Sequence, residues 1–508
     1  MNQTDTKQRK RNSIQQKTSV DFRVLICLVA LSIALSAVFL LHMEHDTDLL
    51  RHYKVGEQIM KTGKISRENT FTWQKGTKWS QQEWLFDVLF YEIIFRTGIP
   101  GFVLSYAALM LCGGLICLRI AKPKNTYLFL LMYGICFAWA ETGGRPGDSS
   151  VFLFLIFLAL YEKAYRFRTK LLCMAGMGIF VANYHTGNIL VMAAAWALMM
   201  FTDWLLDLRE KKVNTERIRQ DLLCVVLFCV SSVISPLGVH GFSYAVSVMS
   251  MESTKYISEW KPLSAPIQVA VIYCLFLVTL GWKIAESAYD RTVFRRCVLC
   301  TGFGAVSLAS QRSVPLFLYS WLIFCSSYTY EMILSFAKAQ EGQLLPSRKI
   351  RHRGAAAAAG AAAAAAIAGV CAVVTIWCIR KVPTFTDFAD RQASKPILEE
   401  IERTAKSDSR IFAPYLINNV LLYHDIPVTV DARQVPYDSP DNQSLMDYIS
   451  ANEGSAEVCR SYVAKYDFDY IWTDDQWTLM DAALENSAQY EKVLVDKDTE
   501  QTLWRKAE

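Results

Sequence analysis

The feature that most constrains this chain is a series of apolar runs that contain few or no charges, several of them about 18 to 24 residues long. At a rise of about 1.5 Å per residue, a helix of that length crosses the roughly 30 Å hydrocarbon core of a bilayer. Hydrophobic residues fill 52% of the 508 positions, which is more apolar material than one soluble core of this size needs. The sequence therefore predicts an all-α polytopic membrane domain.

The runs predict about eleven transmembrane helices. The first run, 24–41, follows a basic tail over 1–23 and predicts a retained signal anchor with a cytoplasmic N-terminus. The last run begins with an alanine-rich tract, which favours a close-packed membrane helix over a linker. The other runs lie near 102–118, 126–141, 149–162, 171–183, 187–205, 221–236, 266–284, 297–310 and 314–332, and the last near 355–378.

The net charge of +5 reflects membrane topology, because the Lys and Arg residues cluster in short segments between apolar runs. A nucleic-acid partner is therefore not expected. Cytoplasmic loops are enriched in basic residues, so these segments are predicted to lie inside. The basic segments are 163–170, 209–219, 291–296 and 348–353. The same alternation predicts that polar residues from several separate loops lie together on the outer face. They include Asp46, Asp48, His52, Arg145, His185, Glu259 and Arg312.

Three regions follow from this topology. The polytopic domain is expected over 24–379, with its first outer loop at 42–100, and the acidic segment 380–508 is expected to form a small extracytoplasmic α/β domain. Within the loop, 83–96 alternates apolar and charged positions at helical spacing, which predicts an amphipathic interfacial helix. Four segments of the tail are rich in residues that favour strands: RIFAPY, PVTVDAR, FDYIWT and EKVLVD.

Asp46 and Asp48 begin the polar stretch that follows the first helix. Two carboxylates at this spacing can accept a proton from an attacking hydroxyl. They can also hold a divalent metal, Mg²⁺ or Mn²⁺, which neutralises a phosphate leaving group. The structural alternative is that they start a solvated loop or cap the helix that follows.

Other outer-face residues suit substrate binding. Arg145 and Arg312 stand at the ends of apolar runs, where a planar guanidinium can clamp a lipid phosphate or simply reach the headgroup region. His185 lies in a tight loop with no spacing that fixes a metal site. No Walker motif occurs, which disfavours ATP-driven transport.

The first loop resembles that of bacterial multi-span membrane proteins of the GT-C glycosyltransferase superfamily, which use polyprenyl-phosphate sugars. The matching positions in the loop are Asp46, Asp48, His52, Gly56, Ile59, Gly63, Ile65, Phe71, Gly76, Trp79, Glu83, Trp84 and Leu85. Further matches are Arg145-Pro146, Asn183, His185, Ser235-Pro236, Gly238, Glu259-Trp260, Arg312, Pro315, Asp431-Ala432-Arg433 and Tyr437. The sequence departs from the pattern at Leu50 and Arg51, where an aromatic pair is usual, and at Ala432, where glycine is usual.

The resemblance implies inverting transfer of a hexosyl or pentosyl unit from a polyprenyl-phosphate donor to a glycan, lipid or protein acceptor at the outer face of the cytoplasmic membrane. Asp46 or Asp48 would then be the base or hold the metal, and His52, Glu83, Arg145, His185, Glu259 and Arg312 would bind substrates. Two other hypotheses remain, a polyprenyl-linked glycan flippase or exporter and a catalytically silent envelope-assembly protein. A flippase is expected to show ionisable residues at mid-membrane or repeated broken helices, and neither is evident.

Overall fold

The computed structural model describes residues 22–42, 47–74, 76–79, 81–139, 144–163, 165–263, 267–286, 290–341, 353–381 and 384–507. Thirteen helices precede the C-terminal region in these ranges. They are α1 (Phe22–His42), α2 (Asp48–Thr62), α3 (Trp84–Ala121), α4 (Thr126–Trp139), α5 (Pro146–Glu162), α6 (Phe167–Tyr184), α7 (Asn188–Arg209), α8 (Thr215–Ser231), α9 (His240–Ser250), α10 (Ile267–Ala285), α11 (Arg291–Ala309), α12 (Val314–Glu341) and α13 (Arg353–Lys381).

Each apolar run of the sequence falls largely within one of these helices. Five helices in the described ranges are long and apolar enough to cross a membrane: α1, α3, α7, α11 and α13. Three shorter apolar helices lie within α4, α5 and α10. The chain is therefore a helical membrane protein, while the total of eleven crossings remains a prediction.

Helix α3 is two helical segments joined at a kink. Gly98 has φ 63° and ψ −165°, a conformation open to glycine, and Pro100 follows it. The kink separates the amphipathic segment predicted over 83–96 from the apolar helix predicted over 102–118. Phe86 and Phe90 of the first segment are buried. This segment packs against α2.

The C-terminal region holds six further helices around one small sheet. They are α14 (Phe385–Ala389), α15 (Lys395–Thr404), α16 (Tyr415–Tyr423), α17 (Ser444–Glu453), α18 (Ala456–Tyr466) and α19 (Thr478–Glu485). The strands are β1 (Ile411–Phe412), β2 (Tyr470–Thr473), β3 (Tyr490–Asp496) and β4 (Gln501–Lys506). Their order is β1-β2-β4-β3, with β1 parallel to β2 and the other pairs antiparallel.

Three of the four predicted strand segments contain strands of this sheet, and the fourth prediction is wrong. PVTVDAR forms no strand of the sheet. Its Val428 makes only an isolated parallel bridge, to Thr72 of the first loop. The sequence prediction also missed β4, which pairs with β2 and β3 and completes the sheet.

The first loop and the C-terminal region share one hydrophobic core. Leu49 and Phe86 from the loop side pack in the same cluster as Ile397, Val420 and Trp472 from the C-terminal side. The Val428 amide also donates to the Phe71 carbonyl at 3.1 Å. The C-terminal region therefore fixes the position of α2, whose first turn carries the polar residues described next.

Candidate active site

Arg145 links three segments that are distant in the sequence. It is the N-cap residue of α5, and Pro146 occupies the first helical position, where a missing N–H is tolerated. Its Nη1 lies 3.5 Å from Oδ2 of Asp48, the first residue of α2. The same Nη1 forms a close ion pair with Glu259. The guanidinium is thus held between two carboxylates and stays about one-third exposed.

Glu259 and Arg312 come from two short 3₁₀ turns, Ser258–Trp260 and Gln311–Ser313. The turns are joined by the amide of Gln311, which donates to the carbonyl of Lys261 at 3.2 Å. Glu259 Oε2 lies 3.6 Å from Arg312 Nη1, and the Arg312 guanidinium stacks over Trp260 at 5.1 Å. One carboxylate therefore orients two arginines, Arg145 and Arg312.

His185 and Glu83 form a second, buried pair. His185 follows the last residue of α6, and its Nδ1 lies 2.7 Å from Glu83 Oε1. Thr186 supports the turn by donating through its hydroxyl to the Gln82 carbonyl at 3.1 Å. Although burial favours the neutral acid, the hydrogen bond from His185 and the charge of Arg51 hold the pKa of Glu83 below its usual range. Glu83 is therefore a carboxylate at neutral pH.

A buried chain of three side chains adjoins Glu83. His52 Nδ1 lies 2.5 Å from Asp87 Oδ1, and His52 Nε2 lies 2.7 Å from Arg51 Nη2. Because a guanidinium only donates, Nε2 must accept and the imidazole proton must lie on Nδ1, facing Asp87. Burial and then the Arg51 charge hold the pKa of His52 well below its usual range, which agrees with a neutral ring. Arg51 Nη2 in turn lies 3.7 Å from Glu83 Oε2.

Gly56 makes this chain sterically feasible. A Cβ at position 56 would stand 2.1 Å from the Asp87 carbonyl oxygen and 2.6 Å from Tyr91 Cβ. Only glycine therefore lets α2 approach α3 closely enough for His52 to reach Asp87.

Gly147, in the first turn of α5, leaves a space beside these pairs. An ideal Cβ at this position would lie 3.8 Å from both Arg312 Nη2 and His185 Nε2. The two nitrogens are therefore at most twice that distance apart, with no Gly147 side chain between them. Within the described residues, the group that contains Arg145 and Arg312 lies next to the buried Glu83–His185 pair at this position.

The C-terminal region adds a buried arginine on the first loop. Arg433 Nε donates to Asp431 Oδ1 at 2.7 Å, and Nη2 donates to Asn69 Oδ1 at 2.6 Å. The guanidinium stacks on Trp79 at 4.1 Å, and the Tyr437 hydroxyl donates to Asp431 Oδ2 at 2.8 Å. The Asp-Ala-Arg segment therefore anchors the C-terminal region to the first loop.

Two tyrosines face the charged cluster without having been singled out in the sequence. Burial and then Glu83 raise the pKa of Tyr244 in α9, and burial and then Asp48 raise the pKa of Tyr415 in α16. Both side chains therefore remain neutral hydroxyls beside the cluster.

The structure joins seven of the eight predicted site residues into two linked groups. Asp48, Arg145, Glu259 and Arg312 form one group, and His52, Glu83 and His185 belong to the other. Asp46 lies outside the described residues. Sequence reasoning missed the roles of Arg51 and Asp87. Arg51 directly precedes His52, and Asp87 lies one helical turn after Glu83, so their positions beside two candidate residues were a usable signal.

A metal site does not emerge from the described part of the chain. No group of three or more His, Cys, Asp and Glu side chains there could hold a metal ion. Asp48 faces the Arg145 guanidinium, and Glu83 is occupied by His185.

The comparisons identify the architecture. No family model matches the chain, and no curated protein does. An archaeal oligosaccharyltransferase, AglB from Archaeoglobus fulgidus in complex with an inhibitory peptide and a dolichol-phosphate, matches with a TM-score of 0.56 over 94% of this chain and 74% of that one, at 9% identity. The chain has a GT-C fold.

A second solved structure gives the same result. The apo crystal structure of the Archaeoglobus fulgidus oligosaccharyltransferase matches this chain with a TM-score of 0.51, covering 87% of this chain and 69% of that one at 9% identity. Identity this low establishes the shared fold alone. The resemblance drawn from the sequence motifs is thus confirmed for the fold.

Proposed function

We propose that this chain is a membrane glycosyltransferase that moves a sugar from a polyprenyl-phosphate donor to an acceptor. The observation that carries the proposal is the coupling of Arg145 and Arg312 through Glu259, next to Asp48, at one end of the apolar helices of a GT-C fold. A polar site in this place suits a substrate with a lipid tail and a charged headgroup. The reaction would take place at the outer face of the cytoplasmic membrane, with the N-terminus inside and 380–508 outside.

The two arginines are the proposed phosphate site. Arginine binds phosphate oxygens through a planar fork and costs less to desolvate than an ammonium group. Both side chains keep part of their surface exposed, 33% for Arg145 and 41% for Arg312, so the two arginines are open to a ligand. The neighbour that was solved with dolichol-phosphate supports a donor of this chemical class.

The proposed reaction is an inverting transfer of a hexosyl or pentosyl group. An acceptor atom attacks the anomeric carbon from the side opposite the phosphate, and the bond to the phosphate oxygen breaks as the new bond forms. Positive charge from Arg145 and Arg312 stabilises the leaving phosphate. The paired carboxylates Asp46 and Asp48 are proposed to activate the acceptor or to keep Arg145 in place.

The acceptor class is a glycan, lipid or protein of the cell envelope. The neighbouring structure contains an inhibitory peptide, which is a finding about that protein. It is the reason for including a peptide among the acceptors that are tested. His52 and Glu259 remain proposed as residues that position the substrates.

The test is sugar transfer in purified membranes. Labelled polyprenyl-phosphate sugars are supplied with glycan, lipid and peptide acceptors to the wild type, Asp48→Asn and Arg145→Gln at equal expression. We expect transfer by the wild type and a loss of about 100-fold or more in Arg145→Gln, as for removal of a transition-state charge partner. Arg505→Gln, which removes an exposed ion pair with Glu491 on the C-terminal sheet, is the matched control and should transfer normally.

Three results would contradict the proposal. Failure of the wild type to transfer with any donor and acceptor tested would remove the enzyme assignment. Transfer that survives loss of both Arg145 and Arg312 would remove the phosphate site. Movement of lipid-linked sugar across vesicles without covalent transfer would favour the flippase.

A further inference from the structure

The Glu83–His185 pair has the geometry of a carboxylate that supports a base. Glu83 is ionised, as its lowered pKa indicates, so it accepts the hydrogen bond and His185 carries its proton on Nδ1. In the neutral form of this ring, the other nitrogen, Nε2, is a lone-pair acceptor. Within the described residues, Nε2 has no hydrogen-bond partner. This tautomer is the one in which a histidine can take a proton at Nε2 while the carboxylate stabilises the resulting cation.

Nε2 of His185 lies beside two glycines. An ideal Cβ at Gly147 would stand 3.8 Å from Nε2, and one at Gly187 would stand 3.3 Å from it, which is a tight contact. Glycine at both positions keeps side-chain atoms away from Nε2. The Gly147 position is also 3.8 Å from Arg312 Nη2, so the free nitrogen and this arginine of the proposed phosphate site are at most twice that distance apart.

Asp48 is less suited to accept the proton. Its carboxylate lies 3.5 Å from the Arg145 guanidinium, and an adjacent cation makes a carboxylate a weaker base. Its geometry instead suits the orientation of Arg145. The sequence alone did not separate these two roles.

We propose that His185, supported by Glu83, is the catalytic residue that takes the proton from the acceptor. This assignment rests on the proposed glycosyl transfer. The acceptor O–H or N–H bond breaks as its proton moves to Nε2, and the acceptor atom forms a bond to the anomeric carbon. The bond between that carbon and the phosphate oxygen breaks, and its electron pair leaves with the phosphate. The proton is then released from Nε2 to water, which restores His185.

The charged groups around His185 fit this sequence. Glu83 contacts Nδ1, and Arg312 faces the Nε2 side across Gly147. Arg51 and His52 of α2 lie behind Glu83. Glu83 is thus placed to stabilise the cation that forms when His185 takes the proton.

The test compares the pH dependence of transfer in the wild type, His185→Gln and Asp48→Asn, with purified full-length protein. We expect the wild-type rate to fall on the acidic side as the base becomes protonated. His185→Gln should lose about 100-fold in kcat at neutral pH, and its residual rate should lack the acidic fall. Asp48→Asn should retain the fall. His240→Gln, an exposed histidine at the start of α9, is the matched control and should leave both rate and profile unchanged.

Chemical rescue separates a base from a structural residue. His185→Ala should regain at least tenfold in rate with added imidazole, with a dependence on imidazole concentration that saturates. An unchanged acidic fall in His185→Gln, or loss of that fall in Asp48→Asn with no rescue of His185→Ala, would assign the proton elsewhere. No transfer by the wild type would overturn the proposed function and this assignment with it, whereas wild-type transfer with those variant results would overturn only the assignment.

Discussion

The two ends of the helices both carry buried charges, but they differ in how those charges are used. At the end away from the candidate site, Asp203 near the end of α7 is 2% exposed. It accepts from the Tyr161 hydroxyl at 2.9 Å, from Arg295 Nη1 at 2.9 and 3.0 Å, and from Arg217. At the site end, Arg145 to Asp48, Glu259 to Arg312 and Arg51 to Glu83 are separated by 3.5 to 3.7 Å.

The difference indicates two kinds of polar cluster in one helical domain. At the far end both oxygens of Asp203 are occupied, which ties α5, α7, α8 and α11 together. Buried arginine nitrogens without a partner among the described residues occur at both ends: Arg51 Nε and Arg433 Nη1 at the site end and Arg295 Nε at the far end. The difference is His185 Nε2, which has no hydrogen-bond partner among the described residues. A substrate atom can meet this nitrogen, so the second cluster is the one suited to substrates.

The strongest test of this comparison is Asp203→Asn. Removing the charge leaves Arg217 and Arg295 without their shared carboxylate, and breaking a buried ion pair costs about 3–5 kcal/mol. We expect a large fall in the unfolding midpoint in mild detergent and an unchanged transfer rate per folded molecule. Glu210→Gln, an exposed carboxylate just after the same helix, should change neither. If Asp203→Asn transferred sugar more slowly while keeping the wild-type unfolding midpoint, the far-end cluster would also take part in transfer.

Acidification should weaken the site end through Glu83. Its pKa lies below the unfolded value, so its contribution to stability is present above the ordinary carboxyl range and is lost as the pH falls through that range and below. A hydrogen bond to a charged group is worth about 1.5–3 kcal/mol. The unfolding midpoint of the wild type should therefore exceed that of Glu83→Gln at pH 7, and the gap should narrow toward pH 4. A gap that is independent of pH would mean that Glu83 is not a paired carboxylate.

The smallest expected effect is that of Asp87→Asn. The new amide can donate to His52 Nδ1, which favours a ring protonated on Nε2 that no longer accepts from Arg51. We expect transfer to fall about tenfold, or about 1.4 kcal/mol, because Arg51 loses its orientation. Glu92→Gln, whose partner Arg96 lies on the same helical segment, is the control and should have no effect. Equal losses in the two variants would show that His52 does not position Arg51.

Much of the fold was predictable from local pattern. Apolar length predicted where the helices lie, and Gly98 with Pro100 marks the place where the amphipathic segment meets the apolar one. PVTVDAR was misassigned because β-branched residues favour any extended backbone, whether it joins a sheet or bridges to a loop as Val428 does. Strand β4 was missed because its pairing with β2 and β3 is not visible in its own residues.

The candidate site was predictable as a set of residues but not as an arrangement. Arg145, His185 and Arg312 stood out because an ionisable group at the end of an apolar run needs an explanation. Arg51 counted as a departure from the motif, yet it donates to the neighbouring His52. Asp87 fitted the polar face of an amphipathic helix, and only the close approach of α2 at Gly56 shows that it is buried beside His52.

The sequence by itself determined that this chain enters a membrane, where its helices lie and which polar residues are candidates for the site. Those properties depend on hydrophobic length and helical periodicity, which are local to each segment. Only the tertiary structure decided that Glu83 meets His185, that Glu259 holds Arg145, and that the C-terminal region anchors the first loop. These contacts join residues about 100 or more positions apart, so they depend on how the helices pack and not on the pattern within any one of them.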